Sequence, residues 1–366
     1  MDNYTPERGT SVSELETPCF IVEVDALENN LQVVADTYRD TVCKMREHTK
    51  NIKSPFLAKM QMEFGGTNGG VCTAKVAEAE VMVQGGVTDI LIPNQIVTTD
   101  KLNRLCALAK HGDIKVCVDS KENVQIISDV ASRHGVEIGI LIEVDTAMGR
   151  AGVRGPEAGV EIARFTLGLP GVRFRGVMSH QNVSDDKSKE GRHLRSLETF
   201  AYCIQVKDAV EAAGIPVEIV SSGETFSYDV ATQIEGVTEV EGGSYALMST
   251  GYEYMTEFQI AGKVLGTIVS TPRPGVAIGD IGTRSIAGPS GMIPRVDGLP
   301  GVEVESIHEE HIVLTIDGTT PLHVGDKFKL LPAHQDMLVN RWDQYVAVRN
   351  DVVEDVWDIP GRGCYH

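Results

Sequence analysis

The sequence predicts a (β/α)8 TIM-type barrel followed by an all-β domain, and three observations carry that reading. Between residues 43 and 248, short apolar runs alternate with amphipathic stretches at helical spacing. That alternation is the signature of parallel sheet built from βαβ units. Eight such strands fall in this interval, and eight βα units close a barrel. From about Lys263 the texture changes to short alternating strands joined by turns such as Asp317-Gly318 and Gly325-Asp326, with no long helix.

Taken in order, residues 1–16 are polar and read as a loose arm. Residues 19–25 form a strand surplus to the eight, expected to pair into the β domain. Residues 26–42 read as a helix with Leu27, Leu31 and Val34 on one face. The barrel strands are expected at 43–47, 70–74, 89–94, 114–119, 138–145, 174–180 and 217–223, with the last inside 240–248. Helices between them are expected at 54–64, 75–84, 99–110, 122–134 and 156–167, then a long one ending near Gly214 and a short one at 228–233. Ser54-Pro55 supplies an N-cap and a first-turn proline. The β-domain strands are expected at 264–269, 311–316, 327–331 and 344–349. The chain thus divides into an N-terminal arm and strand (1–25), a barrel (26–260) and a C-terminal β domain (261–366).

Composition bounds the function. A chain of 366 residues, 42% hydrophobic, is too long for one small core. A net charge of −19 argues against nucleic acid and against an anionic membrane surface. The seven cysteines are widely spaced, form no CxxC pair and lie mostly in apolar runs. They read as core thiols in a reducing cytoplasm, except Cys364 near the chain end, to which no role is assigned. No basic segment followed by an apolar stretch opens the chain, so no signal peptide is expected. No apolar window is long enough to span a bilayer.

The polar residues converge at strand ends. Lys50 follows the first barrel strand within Arg46-Glu47-His48-Thr49-Lys50-Asn51-Ile52-Lys53, on the face where barrels collect catalytic groups. A lysine desolvated there, near cations such as Arg46 and Lys53, can attack a carbonyl and form a Schiff base. Glu47 and Lys53 themselves read as solvated neighbours. Asn94 ends the third strand, and Asp145-Thr146-Ala147-Met148-Gly149-Arg150-Ala151-Gly152 leaves the fifth. Ser179-His180 ends the sixth, Ser221-Ser222-Gly223-Glu224-Thr225 the seventh, and Glu241-Gly242-Gly243-Ser244-Tyr245 lies in the eighth. The last two are glycine-rich turns where such barrels hold a phosphate. A lysine across the rim from a phosphate cradle points to pyridoxal 5'-phosphate.

With Pro332-Ala333-His334-Gln335-Asp336 added, these motifs occur in an order and spacing that resembles the D-threonine aldolase and D-serine dehydratase family. Its members are fold-type III pyridoxal-phosphate enzymes with an alanine-racemase-like barrel, and the resemblance runs from about Glu16 to Gly363. It implies that Lys50 is the Schiff-base lysine and that Arg150 contacts the ring hydroxyl of the cofactor. It implies that Ser222, Gly223, Thr225, Gly243 and Ser244, with the adjoining Tyr245, bind the cofactor around its phosphate. It implies that His334 and Asp336 are divalent-metal ligands; donors at i and i+2 can share one strand face. Two positions depart from the family. Asn51-Ile52-Lys53 stands where a second histidine usually follows the lysine, and His180 stands where a tyrosine stacks by the ring.

The resemblance implies a lyase that cleaves the Cα–Cβ bond of D-3-hydroxy amino acids, giving glycine and an aldehyde, with Lys50 and His180 as catalytic residues. Manganese or magnesium is the expected metal, with zinc possible, since a carboxylate ligand suits harder ions. In this family His-x-Asp accompanies aldolases and His-x-Cys dehydratases. The alternatives are a D-serine or 3-hydroxy-D-aspartate dehydratase, an amino-acid racemase needing no metal, and a non-catalytic pyridoxal-phosphate-binding protein. Carriers of that last kind are single-domain barrels, which the β domain here argues against. A homodimer is implied by the relatives and is the commonest assembly.

Overall fold

The computed structural model describes residues 4–288 and 291–366, which fall into two compact units. The first comprises Val34–Lys50, Ser54–Gly243 and Cys364–His366. The second comprises the described residues of Met1–Val33, Asn51–Lys53 and Ser244–Gly363. The first strand of the chain, β1 (Cys19–Glu23), belongs to the second unit.

The next eight strands form the first unit: β2 (Lys44–His48), β3 (Thr67–Cys72), β4 (Asp89–Ile92), β5 (Asp113–Val118), β6 (Ile138–Glu143), β7 (Val172–Ser179), β8 (Ile219–Ser222) and β9 (Glu239–Val240). Among the described residues they close a parallel barrel in sequence order. Both faces of such strands are covered, so they read as nearly continuous apolar runs. The barrel interior is layered. Cys72, Leu91, Cys117, Leu141, Met178 and Ile219 form an apolar layer across six strands. Toward the amino-terminal ends of the strands lies a layer of charge in which Arg46, Lys115 and Glu239 are buried and Asp89 and Asp113 reach solvent. There the Arg46 guanidinium makes a two-bond fork with Glu239 at 2.8 and 3.0 Å and donates to Asp89 at 2.6 Å. Lys115 adds ion pairs to Asp89 and Asp113, each at 2.8 Å. Gly70 is required beside this cluster, because a Cβ there would lie 2.2 Å from Arg46 Nη1.

Arg46 is therefore not a cationic neighbour of Lys50 at the mouth; it is spent on the barrel floor. Glu47 and Lys53 are likewise buried, at 2% and 5% exposure, rather than solvated. Glu47 is the penultimate residue of a strand flanked by β3 and β9, where no face meets water. The last barrel strand is also shorter than expected. It stops at Val240, and Ser244–Leu247 forms a helical turn instead. Gly242 leaves the ladder, its amide donating to Met45 Sδ at 3.3 Å and its carbonyl accepting from His48 N at 2.8 Å.

The second unit is an all-β body. Its strands are β1, β10 (Gly262–Arg273), β11 (Val276–Gly279), β12 (Arg295–Asp297), β13 (Val302–Ile307), β14 (Ile312–Ile316), β15 (Lys327–Leu331), β16 (Gln344–Arg349) and β17 (Val352–Asp358). The main path runs β13-β14-β11-β10-β1-β16-β17, with β15 bridging β10 and β12. The surplus first strand does join this domain, antiparallel to β10 and parallel to β16. The described part of the amino-terminal arm, residues 4–16, is not loose. Gly9 and Val12 donate backbone hydrogen bonds to Val353 and Asp351, both at 2.9 Å. Val12 and Leu15 pack into a core with Cys19, Ile21, Leu265 and Val346.

The Arg46–Glu239 pair joins the first and last barrel strands, whose ladder is only two residue pairs long. Removing one member of a buried pair leaves its partner's charge uncompensated. Arg46→Met is expected to lower unfolding stability by about 3–5 kcal/mol in urea titrations. An unchanged midpoint would show that the ladder alone holds the seam.

Candidate active site

At the carboxyl-terminal mouth of the barrel a cavity of about 190 Å³ is lined by Lys50, Arg150 and His180, with His48, Lys75 and Glu241 among the other walls. Three sequence-predicted residues thus meet around one space. Lys50 lies in a 3-10 turn, Thr49–Asn51, directly after β2. The turn is anchored by the Thr49 hydroxyl, which donates to the Cys72 carbonyl at 3.0 Å. The Lys50 amide approaches His48 Nδ1 at 3.5 Å.

Arg150 rides on the loop after β6. Val153 N donates to Glu143 O at 2.8 Å and Asp145 N to Val153 O at 3.1 Å, closing the loop at its base. Inside it, the Asp145 carboxylate accepts from Met148 N at 3.2 Å, and Asp119 accepts from Gly152 N at 3.0 Å. Gly152 has φ +111, and a Cβ there would strike Asp145 N at 2.5 Å, so only glycine serves. The Arg150 side chain is half exposed, 3.5 Å from the buried Glu143 carboxylate. Gln95 Nε2 donates to the other Glu143 oxygen at 2.5 Å. Burial raises the Glu143 pKa, while the Gln95 and Arg150 contacts pull it back.

Two titratable groups in the cavity are displaced in opposite senses. Burial, then the charges of Lys50 and Arg150, lowers the His180 pKa to about 3. The ring is therefore uncharged at neutral pH. Burial raises Glu241 to about 7; the Ser221 hydroxyl, donating at 2.8 Å, only partly offsets it. The sequence reading quoted Glu241 within its motif but gave it no role. Its signal was the i, i+2 alternation with Glu239, which turns both carboxyls into the barrel.

The glycine-rich turns after β8 and β9 come together: a Cβ on Gly242 would sit 3.5 Å from Thr225 N and 2.9 Å from the Met45 side chain. Gly223 (φ +93) and Thr225, which opens a 3-10 turn, follow β8; Gly243 is buried beyond β9. Ser222 does not offer its hydroxyl to the cavity. That hydroxyl shares a 2.7 Å hydrogen bond with Ser179 and also faces the Cys203 thiol.

The remaining predicted residues lie in the β unit. Ser244 Oγ accepts from Asn51 Nδ2 at 3.2 Å, and the same amide donates to Asp336 Oδ1. Tyr245 is wholly buried, its ring centroid 6.2 Å from that of Phe258. His334 and Asp336 do not share a strand face. They begin the short helix Gln335–Val339, His334 as its N-cap and Asp336 in its first turn. His334 Nδ1 is buried with no hydrogen-bond partner. An orphaned imidazole nitrogen close in sequence to a carboxylate fits a divalent cation. The amine, guanidinium, uncharged histidine and paired glycine turns of the barrel mouth fit pyridoxal phosphate. Among the described residues no group of three or more metal-ligating side chains occurs, so waters or substrate would complete any coordination sphere.

The Glu241 shift makes stability depend on pH. Its folded pKa of about 7 exceeds the ordinary 4.5, so its stabilising protonation is complete below pH 4.5 and is lost as pH rises to 7. Glu241→Gln is expected to remove about 3 kcal/mol of that decline, followed by urea midpoints across the interval. Parallel curves for the two proteins would refute it.

Residues 22–250 match the alanine racemase N-terminal domain family, and residues 261–348 match the serine dehydratase domain. The chain is 36% identical to 3-hydroxy-D-aspartate aldolase of Paracoccus denitrificans (strain Pd 1222), covering 97% of this chain and 94% of that one. It is 26% identical to D-threo-3-hydroxyaspartate dehydratase of Delftia sp. (strain HT23), over 94% of this chain and 97% of that one. The crystal structure of D-threonine aldolase from Filomicrobium marinum superposes with a TM-score of 0.93 at 30% identity, covering 99% of this chain and 100% of that one. An eight-stranded barrel with a lysine at its mouth, an all-β unit that takes in the first strand, and relatives matched over nearly their full length make this chain a member of the D-threonine aldolase and D-serine dehydratase family of fold-type III pyridoxal-phosphate enzymes.

Proposed function

We propose that the protein is a pyridoxal-phosphate- and divalent-metal-dependent lyase that cleaves the Cα–Cβ bond of D-3-hydroxy amino acids to glycine and an aldehyde. The convergence of Lys50, Arg150 and His180 on one cavity carries this reading. The relatives named as aldolases support it. When bound, the cofactor supplies an electron sink for a carbanion at Cα. The metal, held by His334 and Asp336, supplies a Lewis acid that lowers the pKa of a hydroxyl.

The chain's own residues do the rest. Lys50 Nζ is the amine that carries the cofactor, held by a turn whose backbone is pinned to β3. Arg150, on a loop closed by hydrogen bonds, presents a guanidinium that Glu143 keeps from swinging free. His180, uncharged at neutral pH, gives the cavity an acceptor lone pair without a further positive charge beside Lys50. Gly223, Thr225, Gly243 and Ser244 would hold the phosphate, and Ser222 would contribute its backbone, since its hydroxyl is engaged by Ser179. Met178, in the apolar layer, forms part of the cavity wall and keeps water from entering through the barrel. No helix among the described residues is long and apolar enough to cross a membrane. The proposed setting is the cytoplasm, with the protein as a homodimer detectable by light scattering.

Product analysis on D-threonine, D-phenylserine, D-serine and D-3-hydroxyaspartate tests the reaction. Glycine and the matching aldehyde are expected. Ammonia and a 2-keto acid without glycine would replace the aldolase by a dehydratase. Borohydride reduction and peptide mapping should find the pyridoxyl group on Lys50, and Lys50→Ala should lose the visible absorption. EDTA should abolish cleavage and Mn²⁺ restore it. Asp336→Ala should lose cleavage yet keep the colour; full activity in that variant would remove the metal from the scheme.

A further inference from the structure

The cavity has a second amine on its wall. Lys75 follows β3 and precedes the helix Val76–Gln84. Its backbone is fixed: the buried Glu78 carboxylate accepts from Ala74 N at 2.7 Å and Lys75 N at 3.2 Å. The Asn94 side-chain amide, also on the cavity wall, donates to Ala74 O at 2.9 Å. The base of the lysine side chain is thus held rigidly, while among the described residues its ammonium has no hydrogen-bond or ion-pair partner.

The other charges of the cavity are accounted for. Arg150 has Glu143 beside it at 3.5 Å. Lys50 is assigned to the cofactor in the reading above. His180 stays uncharged because Lys50 and Arg150 add to the effect of burial. Glu241 bonds to Ser221 and is kept largely protonated at pH values below about 7. One cation is left over, on a cavity that must also admit an amino acid. Lys75 is itself exposed, so its ammonium stands at the open side of the cavity, where its positive charge favours an anion entering with the substrate.

We propose that Lys75 pairs with a carboxylate on the substrate's β-substituent, so that the enzyme selects D-3-hydroxy amino acids with an anionic side chain over neutral ones. This rests on the lyase reading and extends it from reaction to substrate class. A lysine that instead held the α-carboxylate would serve every substrate equally, and one that held the cofactor phosphate would govern cofactor retention. Both rivals are separable by experiment.

The test compares kcat/KM for D-3-hydroxyaspartate and D-threonine in the parent holoenzyme, Lys75→Gln and Lys75→Arg. The parent should prefer D-3-hydroxyaspartate. Lys75→Gln should lose about ten- to hundredfold on D-3-hydroxyaspartate, the range for one charge-assisted hydrogen bond, while D-threonine changes less than about twofold. Lys75→Arg should keep most of the preference. Calorimetric binding gives a readout independent of turnover: Lys75→Gln should weaken D-aspartate, which lacks the β-hydroxyl, and spare D-2-aminobutyrate. Equal losses on both substrates, a parent that does not prefer D-3-hydroxyaspartate, or loss of cofactor absorption in Lys75→Gln would each overturn the proposal. If the product is ammonia and a keto acid, the aldolase reading fails, but the same ratio of rates, read on that product, still decides the role of Lys75.

Discussion

The barrel depends on how its two ends meet. Parallel closure requires β2 to pair with β9, yet β9 offers only Glu239 and Val240. A ladder that short is a weak seam, and the Arg46 guanidinium reinforces it with two bonds to Glu239 and a third to Asp89 on β4. The planar fork suits a carboxylate as a lysine could not. Gly70 makes the room. Everything at the mouth inherits its position from this floor. Lys50 is four residues beyond Arg46 along the chain, and Glu241 is two beyond Glu239. A seam held at one end sets both walls at the other.

Between floor and mouth lies the apolar layer of Cys72, Leu91, Cys117, Leu141, Met178 and Ile219. It separates two polar layers that would otherwise share water. That separation is the physical origin of the displaced pKa values above it. Glu241 sits against this layer with one hydroxyl donor, too little to stabilise a full charge. His180, flanked by cations, cannot add a third. The same burial raises the thiol pKa of Cys72 and Cys117, so these cysteines behave as small hydrophobes rather than nucleophiles.

Much of this was legible in the sequence, and the rest was hidden for definite reasons. The βα period located the first seven barrel strands and met the eighth only at Val240, because strands covered on both faces leave a dense apolar mark. Lys50, Arg150 and His180 were found because strand ends in a barrel point to one face. Charges around the first barrel strand mislead: Glu47 and Lys53 read as solvated neighbours and Arg46 as a cation beside Lys50, since periodicity shows neither burial nor a buried ion pair. The end of the barrel series reads too long because Tyr245-Ala246-Leu247-Met248 is apolar, although Gly242 and Gly243 break the ladder before it. In the β unit, β11, β12, β13 and β17 escaped notice. They are short or, as in Val302–Ile307 and Val352–Asp358, carry acidic residues on an exposed face. Glu241, though inside the last glycine-rich motif, and Lys75, which lies in none, have no role assigned from sequence, because only the closed barrel puts them beside Lys50.

The placement of β1 has a consequence for synthesis. Ile21 pairs with Lys263 on one side and Val346 on the other. A ribosome therefore releases this strand long before either neighbour exists, and the whole barrel sequence emerges while it waits. Its burial pattern is apolar on both faces, so until the carboxyl-terminal strands arrive the nascent chain carries an unpaired, sticky edge. Pairings of such sequence separation are slow to form. The all-β unit is therefore the late-maturing part of the molecule, and the leading strand is the segment most in need of protection by a chaperone during translation.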